Sequence, residues 1–102
     1  MTYLIEILLP LTDASGTTFP PAYYDDLAKE LVANFGGVTS FLRAPAEGRW
    51  HDEGSTEHDE IIVIEVMATT FDRGWWTCLK AKLEHRFSQD VIVIRVHTVE
   101  VL

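Results

Sequence analysis

A single cysteine, Cys78, leaves this chain without an internal disulfide, which excludes the disulfide-braced scaffolds of small secreted domains. The opening MTYLIEILLP has neither the basic n-region nor the small-residue cleavage site of a secretory signal. Together these predict a cytoplasmic protein. Cations are scarce too: Lys and Arg number 8 against 16 Asp and Glu, for a formal charge of −8. Phosphate backbones and anionic bilayer surfaces attract clustered Lys and Arg, so neither nucleic acid nor membrane is an expected partner. Apolar runs are short. A spanning helix needs about 20 apolar residues, and the longest candidates here are interrupted by Glu6, Glu65 and Arg95. No glycine pattern matches a phosphate cradle, and no cofactor motif is present. A flavin or haem held by pocket shape alone would leave no such motif, so the cofactor stays open. What the chain does have is 47% hydrophobic and 11% aromatic residues in a length of 102, enough for one core. A single domain over 1–102 follows.

Thr2 to Leu9 is short, apolar and rich in β-formers, and Pro10 stops it, which predicts a first strand. LTDASGTTFPP is then a loop that borders a pocket or is merely a connection. Tyr24, Leu27, Ala28, Leu31 and Phe35 recur at i, i+3, i+4, i+7 and i+11, after Pro20 and Pro21 and before Gly36 and Gly37. That spacing predicts an amphipathic helix with proline at its start and glycine at its end. Val38 to Arg43 reads as a second strand with a break or bulge at Pro45, and Ile61 to Ala68 as a third. Asp72 suits the N-cap of a second helix, with Trp76, Leu79, Leu83 and Phe87 on its apolar stripe. Val91 to about Val101 is the fourth strand. The helices share a register, because Tyr24, Leu27, Leu31 and Phe35 shifted by 52 become Trp76, Leu79, Leu83 and Phe87. Strand, helix, strand occurs twice, which predicts an α+β, ferredoxin-like βαββαβ domain. Its four-stranded antiparallel sheet has order 4-1-3-2, with the two helices on one face.

Side chains alternate along a strand, so each strand splits into two sets. Tyr3, Ile5, Ile7 and Leu9, with Ile62, Ile64 and Val66 and with Ile92, Ile94 and Val96, form the set expected under the helices. The other set is Leu4, Glu6 and Leu8, then Ile61, Val63, Glu65 and Met67, then Val91, Val93, Arg95, His97, Val99 and Val101. A sheet covered on one side normally shows water a polar second face. This second face is largely apolar, which marks an interaction surface. The simplest partner is another copy of the chain, packing open sheet against open sheet about a two-fold axis as in a dimeric α/β barrel.

In the order 4-1-3-2, Glu6, Glu65 and Arg95 fall near one another on that face, with His97 two residues along. Buried charges are costly unless paired, so Arg95 is expected to pair with Glu6 or Glu65. Two readings of the cluster stand side by side. In one, the dimer encloses a pocket for a small-molecule ligand, where Glu6 or Glu65 is a general base and Arg95 or His97 steadies negative charge. In the other, the charges only fix the dimer register.

RWHDEGSTEHDE places His51 and His58 among five carboxylates between the second and third strands. The i, i+4 spacing of a helical zinc pair is absent, and Gly54 and Ser55 suit a solvated turn. His51 and His58 are thus weak metal candidates beside the plain reading of a charged hairpin. Trp50, just outside that turn, packs on the domain or reaches a partner. Trp75, next to the core-phased Trp76, and Met67 on the open face are further ligand-contact candidates. Cys78 and His85 share a side of the second helix, yet seven residues span about 10 Å, too far for a thiol and its base to touch. Lys82 is nearer to Cys78.

Across FGGVTSFLRAPAEGRW, EIIVIEVM and FDRGWW, the sequence resembles a group of small uncharacterised bacterial proteins of about this length. The resemblance covers most of the chain and implies a ferredoxin-like fold and a bacterial source, with no functional residue to carry over. More distantly, and by fold alone, it resembles the dimeric α/β-barrel proteins, which include small monooxygenases, isomerases and stress-induced proteins. Position 2 is Thr2, where tautomerase-type enzymes rely on an amino-terminal proline. The expectation is a homodimeric binding or assembly domain. Its rivals are a small-molecule enzyme of the α/β-barrel type and an adaptor acting through its acidic surface.

Overall fold

The computed structural model describes residues 1–36, 39–46 and 59–102, with 39–46 and 59–60 described as backbone only. The chain runs β1 (Thr2–Pro10), α1 (Pro21–Phe35), β2 (Thr39–Ala46), β3 (Asp59–Ala68), α2 (Arg73–Arg86) and β4 (Val93–Val99). It is an α+β structure in which two helices pack on an antiparallel sheet. β1 lies in the middle, pairing with β3 on one side and β4 on the other. The backbone of β2 runs antiparallel along β3.

Period two decides which side chains reach the core. Ile5, Ile7 and Leu9 of β1, Ile64 and Val66 of β3, and Ile92 ahead of β4 are buried against Leu27 and Leu31 of α1 and Leu79 and Leu83 of α2. Each such side chain contributes about 1.5–3 kcal/mol when fully removed from water. The helix register repeated at a spacing of 52 lands where it should: Tyr24 and Trp76 are both buried, Phe87 is fully buried, and Phe35 is half-buried against both tryptophans. Tyr24 also donates its hydroxyl to the Pro10 carbonyl at 2.6 Å, tying α1 to the end of β1. Burial pushes that phenol's pKa above its ordinary value, because the charged form is the costly one in an apolar site.

The helix ends follow their local chemistry. Pro21 fills the first position of α1, where a missing N–H costs nothing. At the other end Gly36 takes φ +59°, the left-handed conformation that releases its N–H to the Val32 carbonyl at 2.8 Å. α2 starts on Asp72, whose carboxylate accepts from the Trp75 N–H at 3.2 Å. Asp72→Ala is therefore expected to lower unfolding stability by about 1 kcal/mol, whereas Asp72→Ser, also a good N-cap, leaves it nearly unchanged. Urea unfolding followed by helix circular dichroism checks both.

Three strand expectations are corrected. Pro45 neither breaks nor bulges β2: the register runs through it, with Pro45 opposite Glu60 and Ala46 opposite Asp59. β2 has β3 on one side and no strand pairing on the other among the described residues, and an edge strand is where a sheet accommodates proline. β4 is shorter than Val91 to Val101. It begins at Val93 because the Ile92 N–H is taken by the Glu84 carboxylate at 2.9 Å, and it ends at Val99 because that residue pairs with Thr2, the first residue of β1. Val96 has the helix-facing phase yet remains 41% exposed. It lies on an edge strand beyond the packed cluster, so the period sets its side of the sheet but not its cover.

Glu84 holds α2 to the start of β4, accepting from Lys80 Nζ at 2.6 Å as well as from Ile92. The Lys80 bond, then the Ile92 bond, holds its carboxyl below the ordinary carboxylate value. A depressed carboxylate contributes stability that is present above its unfolded pKa and is lost as pH falls through its folded one. The native protein's urea midpoint is thus expected to fall between about pH 6 and about pH 3. Glu84→Gln should start lower and fall less over that range, and an equal slope in both proteins would contradict the role given to Glu84.

Candidate functional site

The sheet face turned away from the helices is built from residues two apart on each strand. Register sets them in three rows. Leu4 lies opposite Met67 on one side and His97 on the other; Glu6 lies opposite Glu65 and Arg95; Leu8 lies opposite Val63 and Val93. A charged row therefore crosses mid-sheet between two mainly apolar ones. Neither helix contributes a buried side chain to this face, since both place their apolar stripes against Ile5, Ile7 and Leu9.

Glu6 and Glu65 face each other directly, and like charges in that position destabilise a sheet. β4 supplies Glu6 with two donors. Arg95 sits directly opposite Glu6 and brings Nε to 3.6 Å from Oε1, while Glu65 is two strands away from Arg95. His97, diagonal to Glu6, donates from Nε2 to the same oxygen at 2.6 Å. The Glu6 side chain is 16% exposed, but those of Arg95 and His97 remain about half in solvent at 52% and 49%. Each contact is thus a screened pair, contributing roughly 0–1 kcal/mol in the isolated chain. The arrangement can hold a carboxylate between two donors, and it can pass a proton between His97 and Glu6.

The apolar rows differ in cover. Val63 is 7% exposed, although it was expected on an open face; its strand is flanked by others on both sides, with Leu8 and Leu42 in register. Leu4 and Leu8 are half-buried, while Met67 at 37%, Val93 at 45% and Val91 at 64% remain open.

Of the other sequence-derived candidates, Trp50, His51 and His58 lie outside the described residues. Among the described residues, no three His, Cys, Asp or Glu side chains gather as metal ligands. Cys78 and His85 are both exposed on α2. Lys82 reaches Glu30 of α1 at 3.7 Å, an interhelical pair. Trp75 is half-buried beside Phe35 and Trp76.

Two features stand apart from the charged row, the first in the loop after β1 that the sequence offered as a pocket border. Asp13 Oδ1 accepts from the Ser15 N–H at 2.9 Å, the Ser15 hydroxyl at 2.7 Å and the Thr17 N–H at 3.0 Å. The Ser15 hydroxyl bond leads in holding this carboxyl below its ordinary value. The D-x-S-x-T spacing was the available signal, since Asp and Ser side chains close such loops onto nearby backbone. The loop so fixed borders a cleft of about 950 Å³ that shares Leu8, Ile61 and Val93 with the open sheet face. The second feature is a smaller cleft at Phe35, Asp72 and Trp75, for which the sequence offered only the paired tryptophans. No helix among the described residues is long and apolar enough to cross a membrane. Comparison with protein families, curated proteins and solved structures finds no match.

Proposed function

We propose that this chain is a ferredoxin-like βαββαβ domain, strand order 4-1-3-2, that works as a homodimer assembled through its open sheet face in a binding or assembly role. The observation that carries the reading is the apolar character of a face that receives no helix side chains. Leu4 and Met67 lie to one side of the Glu6 row, and Leu8, Val63 and Val93 to the other. The element order and strand pairings support the ferredoxin-like topology. Packing two such faces about a two-fold axis removes the exposed Met67 and Val93 surface from water in both copies. The cost is desolvation of the charged row, which is tolerable because Glu6 keeps Arg95 and His97 as partners.

The second reading, a small-molecule enzyme of the dimeric α/β-barrel type, draws on the His97 to Glu6 hydrogen bond, an acid and base pair within 2.6 Å on the same face. Native mass spectrometry of gently purified protein tests the two together. Two chains of bare polypeptide are expected. Two chains with excess mass would shift the reading to the enzyme, and a single chain would overturn the assembly reading.

A further inference from the structure

The end of α1 and the start of α2 leave a cleft of about 160 Å³ between Asn34, Phe35, Thr70, Asp72, Trp75 and Trp76. It lies apart from the open sheet face. Three of its six lining residues are aromatic, and their rings are crossed: Trp75 stands at 88° to Phe35 and 78° to Trp76, with centroids 5.1 and 4.8 Å apart, while Phe35 and Trp76 stack at 17°. Crossed rings make a corner of π surface. The same aromatic cluster already carries one cation, because the Arg73 guanidinium lies 5.6 Å from the centroid of Phe71, which in turn stacks on Trp76.

Size and charge narrow the guest. Drug-sized ligands occupy pockets of about 300–1,000 Å³, so this cleft has room for a head group and little more. Its one charged lining residue is Asp72. The positive end of the α2 dipole, equivalent to about half a charge, opposes a cation there, and the full charge of the Asp72 carboxylate at that end outweighs it. A compact, weakly hydrated cation fits both the rings and the carboxylate, since quaternary ammonium groups are attracted to the faces of Trp and Phe within about 6 Å. The net charge of −8 raises the local concentration of any cation.

We propose that this cleft binds a small free alkylammonium ion, with Phe35 and Trp75 as its aromatic walls, the buried Trp76 stacked behind Phe35, and Asp72 as its counter-charge. The test follows the three indole N–H resonances of the native protein by NMR during titration with tetramethylammonium chloride, sodium chloride holding the ionic strength constant. Two of the resonances are expected to shift together and saturate, and tert-butyl alcohol, of the same shape without the charge, should fail to saturate them. Asp72→Ser, which preserves the N-cap, should bind on the order of tenfold more weakly. Shifts that stay linear in tetramethylammonium, equal saturation by tert-butyl alcohol, or unchanged affinity in Asp72→Ser would each overturn the proposal. The first two comparisons use the native protein and stand even if the variant misfolds. Nα-acetyl-trimethyllysine amide distinguishes a free cation from a modified side chain. Tetramethylammonium saturating at the lower concentration is expected, and the reverse would overturn the assignment to a free ion.

Discussion

Phe87→Ala is expected to lower the unfolding free energy by about 3–5 kcal/mol, the usual cost of emptying a buried phenylalanine site. Phe87 is fully buried at the point where α2 ends. Its ring lies 4.9 Å from Phe19, 5.4 Å from Tyr23 and 5.4 Å from Tyr24, centroid to centroid. It therefore joins the loop after β1, the first turn of α1 and the last turn of α2. Aromatic contacts of this kind add to the area term, and the three neighbours named are themselves large rings already packed on Phe87. Domains of this size have about 5–15 kcal/mol in total, so the variant should sit near the edge of folding at 25 °C. A urea midpoint lowered by less than the equivalent of about 1 kcal/mol would mean that the aromatic cluster collapses around the gap, a behaviour this packing does not predict.

Met67→Glu is expected to weaken self-association more than a hundredfold while leaving the chain folded. Met67 lies on the open face of β3, 37% exposed, so the isolated chain tolerates a polar residue there. A two-fold interface places two copies of the new carboxylate in apolar surroundings, already next to Glu65 and across from Leu4. Burying an unpaired charge costs several kcal/mol, and a hundredfold loss corresponds to only about 2.7 kcal/mol. Met67→Leu, close in volume and without charge, should associate like the native protein. Sedimentation at matched protein concentrations reads both. Equal association by native protein and Met67→Glu would remove the open face from the account.

Much of the fold was legible because periodicity survives without any knowledge of contacts. The stripe from Tyr24 to Phe35, the alternation through Ile5, Ile7 and Leu9, and Asp72 ahead of DRGWW are local signals, and the structure keeps each of them. What failed needed to know which strand stood beside which. Pro45 is tolerated because β2 has no strand on its outer side among the described residues, Val96 is exposed because β4 is an edge strand, and β4 stops at Val99, opposite the residue where β1 begins. The charged cluster shows the same division. Alternation put Glu6, Glu65, Arg95 and His97 on one face, but choosing Glu6 as the partner of Arg95 required the β1 to β4 register. The Asp13 loop was readable in principle from its Asp, Ser and Thr spacing, whereas the cleft at Phe35 and Asp72 exists only once two helix ends meet.

In the proposed assembly, two copies of this chain meet at the open sheet face. An isotope-filtered NOE experiment on a mixture of labelled and unlabelled chains tests it most directly, since it detects only proton pairs that cross between chains. Contacts from the methyl groups of Leu4, Leu8 and Met67 to the partner chain are predicted. Crossing contacts confined to residues of α1 and α2, or none at concentrations where two chains sediment together, would contradict it.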